Sequence, residues 1–184
     1  MKNIEILIGS PRKKGNTFTL ADILSKTLSK EGASISLDFL YDYQIDPCID
    51  CRACKKNDLE CALEDDMHLI YEKIEKCDLL IIGTPIYWYG PTAQAKLFID
   101  RLRPYFVNKK MIGKKIAVIL AAGSGPGDCD LTIEMFKRIC NCLGMVYLGE
   151  VVSESYDIGD ALNDVNAVSS INILSEAIFR ALDN

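Results

Sequence analysis

Histidine is nearly absent: His68 is the only one in 184 residues. Histidine-based metal triads are therefore excluded, and a nucleophile–histidine–acid triad would have to run through this one side chain. Long apolar runs are also missing. The longest wholly apolar stretch, Ile116 to Ala122, falls far short of the ~20 residues that cross a bilayer. Excess positive charge is missing too. Lys and Arg total 21 against 26 Asp and Glu, for a net charge of −5, which argues against a general nucleic-acid or anionic-membrane binder. Met1-Lys2-Asn3 leads straight into a strand-like run without a signal-peptide layout, so the expected location is the cytoplasm.

What is abundant is cysteine. Eight occur in a chain that is 49% hydrophobic and 26% charged. That composition supports one compact domain, residues 1–184, with a substantial core. In a reducing compartment, clustered thiols bind metal or do redox work more often than they form disulfides.

The elements read β-α-β, then a cysteine-rich loop over 47–64, then α-β-α-β-α-β-α. Ile4, Ile6, Leu7 and Ile8 mark a first strand, and Leu20, Ile23, Leu24 and Leu28 a helix capped by Asn16 or Thr17. Ile35, Leu37 and Phe39 alternate with polar residues, as an edge strand does. Leu79 to Ile82 and Ile116 to Ala122 are continuous apolar runs, as in buried parallel strands. A helix from Ala95 to Leu102 is expected to stop before Pro104, and a last strand covers Val146 to Val152. The pattern predicts an α/β flavodoxin-like sandwich with five parallel strands in the order 2-1-3-4-5. Glu5 does not fit, because it lies inside a strand that should be central.

Ligands of such sheets sit at the carboxyl ends of the strands, where the strand order reverses. Two segments fall there. Gly9-Ser10-Pro11-Arg12-Lys13-Lys14-Gly15-Asn16-Thr17 joins strand 1 to a helix N-terminus. The hydroxyls of Ser10 and Thr17, the Asn16 amide, Arg12 and free backbone N–H groups can all donate to a phosphate. The glycine spacing and the absence of a Lys exclude a nucleoside-triphosphate loop, and no G-x-G-x-x-G follows strand 1. A terminal monophosphate fits better, and a basic surface turn is the plainer alternative. The second segment, Thr84 to Thr92, holds Tyr87, Trp88 and Tyr89, whose faces suit a flat heteroaromatic ring, with Gly90 and Pro91 setting a turn. Its plainer reading is an oligomer contact. The Gly123-Ser124-Gly125-Pro126-Gly127 loop closes strand 4 on the same side. Together these features indicate flavin mononucleotide (FMN).

Gly9-Ser-Pro-Arg…Gly15-Asn-Thr and Gly83-Thr-Pro-Ile-Tyr-Trp-Tyr-Gly-Pro resemble the paired FMN motifs of the NADPH-dependent FMN reductases. The resemblance implies phosphate binding at Ser10, Arg12, Asn16 and Thr17, with Lys14 beside them. It also implies ring contacts from Pro85, Ile86, Tyr87, Trp88, Tyr89 and Gly90, with Ala122, Gly123 and Gly125 on the other flank.

Cys48, Cys51, Cys54 and Cys61 read C-x2-C-x2-C-x6-C. Four thiolates suit zinc or a cubane iron–sulfur cluster, and the tight triple is nearer to ferredoxin spacing than to paired zinc motifs. The motif also resembles the iron–sulfur flavoprotein branch of the same family, which implies a [4Fe-4S] cluster on these four residues. Cys77, Cys140 and Cys142 read as core thiols. Cys129, at a helix N-terminus, is a candidate for a lowered pKa. The expected function is an FMN-dependent oxidoreductase supplied by NAD(P)H or a ferredoxin and reducing a small-molecule acceptor. Its rivals are a non-enzymatic electron carrier and a cluster-free reductase with a zinc or thiol loop. A homo-oligomer, dimer or tetramer, is expected, with Tyr105, Phe106 and the Trp88 loop as contact surface.

Overall fold

The computed structural model describes residues 2–56 and 59–183; positions 57 and 58 of the cysteine loop lie outside the described residues. Strands β1 (Asn3–Ile8), β2 (Ser34–Phe39), β3 (Leu79–Tyr87), β5 (Lys115–Ala122) and β6 (Val146–Glu154) run parallel in the order β2-β1-β3-β5-β6. This is the flavodoxin-like order. A two-residue strand β4 (Gly90–Pro91), unforeseen in the sequence, pairs antiparallel with the end of β3.

The pleat sends alternate residues of β1 to opposite cores. Ile4, Ile6 and Ile8 pack under α1 (Asn16–Lys30) and α6 (Val165–Asp183), against Leu20, Leu24, Leu28, Ile171 and Ile178. Leu7 faces the other layer, made of α2 (Met67–Lys76), α3 (Ala93–Asp100), α4 (Arg103–Asn108) and α5 (Asp130–Leu143). Leu20, Leu24 and Leu28 are fully buried along one stripe of α1, and each contributes roughly 1.5–3 kcal/mol. Gly144, with φ +72°, caps α5 in the left-handed conformation that glycine adopts without strain.

Several boundaries differ from expectation. α3 stops before Pro104 as expected, but at Asp100, and Pro104 itself sits in the first turn of a further helix, α4, where its missing N–H costs nothing. β3 continues through Tyr87, so only Trp88 and Tyr89 form the turn into β4. No side chain caps α1, whose N-cap is Gly15. Tyr105 is 1% exposed and cannot be contact surface, although Phe106 is half exposed. Cys142 lies on the exposed face of α5, not in the core.

Glu5 is buried on the α2 side of β1, with Oε1 unpartnered. Burial, with the Asp38 carboxyl beside it, raises its pKa to about 7. Asp38 is in turn ion-paired with Lys73 of α2. The residue that broke the strand pattern thus belongs to a small, partly buried polar cluster.

Candidate functional site

The anion loop leaves β1 through a narrow passage. Gly9 N–H donates to the Gly83 carbonyl at 2.6 Å, and a Cβ on Gly9 would lie 2.7 Å from the Ala95 Cβ. No larger residue fits without displacing α3. Arg12 N–H donates to the buried Ser10 Oγ at 3.2 Å, and Gly15 N–H to the Arg12 carbonyl at 3.0 Å, which folds the loop back on itself. Because the cap of α1 is a glycine, the first N–H groups of the helix are left for an external acceptor. Thr17 is buried in the first turn, Arg12 is exposed, and Lys13 is held away by Asp42 at 2.7 Å.

Asn16 behaves differently from its sequence-based assignment. Its amide donates to the Asp157 carbonyl at 2.8 Å, and its side-chain oxygen accepts from Gly159 N–H at 3.0 Å. The side chain thus ties the loop after β6 to the start of α1. Lys14 is exposed and does not line the cleft described below.

The aromatic segment is a tight hairpin. Tyr87 pairs with Gly90, and the two residues between them, Trp88 and Tyr89, have φ of 50° and 63°. This is the backbone of a turn that normally takes Asn-Gly, and aromatic residues there cost about 1–2 kcal/mol each. The hairpin is held from behind. Thr132 Oγ1 of α5 donates to the Tyr89 carbonyl at 3.1 Å, and Thr92 N–H donates to Thr84 Oγ1 at 3.1 Å. Thr92 also caps α3, accepting from Ala95 N–H, and donates to the Gly9 carbonyl, so the hairpin root and the anion loop are bonded together. Trp88 projects into solvent, 95% exposed.

Between these loops lies a cleft of about 570 Å³ at the switch point. Ser10, Arg12, Asn16, Thr17, Pro85, Ile86, Tyr87 and Gly123 of the sequence-based set line it. Trp88, Tyr89, Gly90, Ala122 and Gly125 support it from the hairpin and the end of β5 without lining it. Sequence reading missed the loop after β6, where Ser155, Tyr156, Asp157 and Ile158 complete the wall. The carboxyl-end rule that selected the other loops applies to β6 as well, and could have found it. Ser155 Oγ is buried at this wall with no hydrogen-bond partner, and the Tyr156 ring covers Gly123, where a Cβ would come within 2.9 Å of it. An orphaned hydroxyl, open helix N–H groups and a mixed polar and aromatic lining fit a phosphorylated heteroaromatic ligand.

Cys129 lies at the start of α5 but is fully buried, and its pKa is raised to about 11 by burial and by Asp128 and Asp130. The expected lowering by the helix N-terminus is overridden.

Between β2 and α2 the described residues form two short 3-10 turns, Leu40–Asp42 and Ala53–Lys55. The base of this loop is clasped. Gln44 N–H donates to Asp66 Oδ2 and Asp46 N–H to Asp65 Oδ2, each at 2.8 Å. Left-handed residues Asp50 and Arg52 bend the chain around Cys51. Cys48, Cys51, Cys54 and Cys61 line one pocket of about 20 Å³, together with Arg101 and Arg103. All four are free thiols. Among the described residues no three His, Cys, Asp or Glu side chains are drawn together as a metal site, so the thiols share a wall without ligating geometry. Burial, then the neighbouring Cys61, raises the Cys54 thiol pKa, against the opposing charge of Arg103. The donor set fits a thiolate-bound metal or cluster, which would have to push the loop outward to enter. His68 stays on exposed helix surface and its Nδ1 contacts the Asp65 carbonyl.

A doubly wound sheet of this order, with an open helix N-terminus and an aromatic hairpin flanking one switch-point cleft, defines a flavodoxin-like flavin-dependent oxidoreductase. The chain belongs to the NADPH-dependent FMN reductase family, whose family model matches residues 2–157. A Bacillus subtilis protein named as an NAD(P)H-dependent FMN-containing oxidoreductase, YwqN, is 35% identical over 93% of this chain and 95% of its own length. An iron-sulfur flavoprotein of Methanocaldococcus jannaschii is 30% identical over 77% of this chain and 73% of its own length. Among solved structures, the Trp repressor binding protein of Bacillus subtilis superposes with a TM-score of 0.71 at 28% identity, over 93% of this chain and 96% of that one. None of the described helices is long and apolar enough to cross a membrane.

Proposed function

We propose that the chain binds FMN in the switch-point cleft, oxidises NAD(P)H or a ferredoxin, and reduces a small-molecule acceptor over the exposed ring face. The observation that carries this is the meeting, in one cleft, of the uncapped α1 N-terminus with the Pro85–Tyr87 wall and the unpartnered Ser155 hydroxyl. The N–H groups at the start of α1 and the hydroxyls of Ser10 and Thr17 hold the phosphate, and Arg12 neutralises it from the rim. Pro85, Ile86 and Tyr87 flank one edge of the ring, and Gly123, beneath the Tyr156 ring, forms part of the opposite wall. When bound, FMN supplies both two-electron and one-electron chemistry. The protein contributes placement, exclusion of water and backbone hydrogen bonds.

Cys48, Cys51, Cys54 and Cys61 are proposed to hold a [4Fe-4S] cluster, which supplies single-electron steps when present. The shared pocket and the iron-sulfur flavoprotein relative support this reading. Trp88 and Phe106 supply apolar surface for a homo-oligomer, dimer or tetramer, in the cytoplasm. The test is anaerobic steady-state oxidation of NADH and NADPH by the FMN-loaded protein with a quinone acceptor. Turnover that depends on FMN is expected. Absence of turnover with both nucleotides would overturn the NAD(P)H-linked reading.

A further inference from the structure

Arg101 is the most deeply buried charged side chain at the cysteine loop. It follows α3, is 1% exposed, and reaches between the two strands of the loop base. Nη1 donates to the Asp46 carbonyl at 2.8 Å, and Nη1 and Nη2 together take both carboxylate oxygens of Asp65. Asp46 stands two residues before the first cysteine and Asp65 four after the last. One guanidinium therefore joins both ends of the loop to the rigid layer of α3, and Tyr71 fixes the same residue by donating to its backbone carbonyl.

That network uses the two Nη groups and leaves Nε. This N–H is buried and has no hydrogen-bond partner, although Arg101 lines the pocket shared by the four cysteines. An unmade hydrogen bond from a buried cationic donor is costly, and a fixed donor aimed at sulfur is a common tuning element of thiolate metal centres.

We propose that Arg101 is the positioning residue of the cysteine pocket: its Nη groups close the loop base, and its Nε–H is held as a donor to a sulfur of the metal centre. The inference rests on the cluster reading above. A donor to sulfur stabilises the reduced, more negative form, so it raises the reduction potential. Lysine at this position keeps the charge but lacks the planar fork and the Nε–H.

The experiment is a redox titration, followed by electron paramagnetic resonance, of protein reconstituted anaerobically with iron and sulfide. Arg101→Lys is expected to keep its iron but titrate at a lower potential than wild type. Asp65→Asn loosens the clasp while retaining Nε, and is expected to stay nearer to wild type. Equal potentials in wild type and Arg101→Lys, or equal shifts in both variants, would overturn the proposal. Because the variants could fail to fold, the unaltered protein labelled with nitrogen-15 arginine gives a second reading. A weak nitrogen-15 coupling to the reduced cluster is expected, and its absence contradicts the assignment. A wild-type protein that takes up no iron overturns the cluster reading itself, which is a different outcome from an iron-loaded protein indifferent to Arg101.

Discussion

The two regions proposed to carry chemistry are built by opposite means. The switch-point cleft is made by the sheet: its walls are strand ends, a helix N-terminus and a hairpin bonded to the anion loop. The cysteine pocket is made by one long loop held at its base by a buried ion pair between Arg101 and Asp65. A cleft fixed by backbone hydrogen bonds is organised before its ligand arrives. A pocket held at its stem, and by α4 through Arg103 to Asp50 and Asn108 to the Leu59 carbonyl, can let four thiols face one space while leaving their final geometry to a metal. Electrostatics separate the regions as well. Burial alone would raise the pKa of Asp65, but Arg101 and the N–H groups of Asp46 and Met67 outweigh it and lower the pKa. For Glu5 in β1, burial and the Asp38 carboxyl outweigh the lowering by Ser36 and Lys73, and its pKa moves the other way.

The sharpest way to break this contrast is to cut the clasp. Asp65→Ala leaves Arg101 buried and unpaired, which is expected to cost about 3–5 kcal/mol in urea unfolding. If the regions are organised independently, FMN affinity of the folded fraction should change little. A parallel collapse of FMN binding would show that the cleft also depends on the clasp.

The opposed carboxyls give the next test. The lowered pKa of Asp65 means stability present above its unfolded pKa and lost as pH falls through the folded one. Glu5, raised to about 7, contributes stability that is full below its unfolded value of 4.5 and is lost as pH rises toward and through 7. Unfolding measured from pH 5 to pH 8 should therefore show a decline, up to about 3 kcal/mol from Glu5, that Glu5→Gln abolishes. An unchanged slope in the variant would place the titration elsewhere.

Within the cleft, Arg12→Ala is expected to weaken FMN binding by about 1.5–3 kcal/mol while leaving apo-protein unfolding unchanged, because the side chain is exposed. Calorimetric titration of the apo-protein checks both. The smallest effect is at the hairpin. Tyr89→Gly relieves a left-handed non-glycine residue and should stabilise the apo-protein by about 1 kcal/mol. If that strain serves the site, turnover falls as the melting temperature rises; a gain in both would show the strain has no role there.

The sheet was legible because burial on both faces leaves continuous apolar runs such as Leu79–Ile82 and Ile116–Ala122, and their spacing predicts the topology. The anion loop was legible for the same reason, since it falls where topology puts ligands. Three features were not. Asn16 has the chemistry of an anion donor, but a contact 141 residues away takes its side-chain amide. Cys129 sits at a helix start, yet desolvation, which depends on packing and not on neighbours in sequence, sets its pKa. Trp88 and Tyr89 conceal a turn that Asn-Gly would have announced, because tertiary bonds from Thr132 and Thr92 override local preference. For the cysteines, spacing named the four residues that share a pocket, but Arg101, distant in sequence, supplies the frame.

One chain is proposed to carry both a sheet-built flavin site and a loop-built thiolate centre. Anaerobic purification followed by quantification of FMN, iron, acid-labile sulfide and zinc tests it most directly. FMN is expected together with iron and sulfide in equal amounts, with the iron and sulfide lost and the FMN kept in Cys54→Ala. Zinc without iron, or FMN with no metal in the unaltered protein, would contradict it.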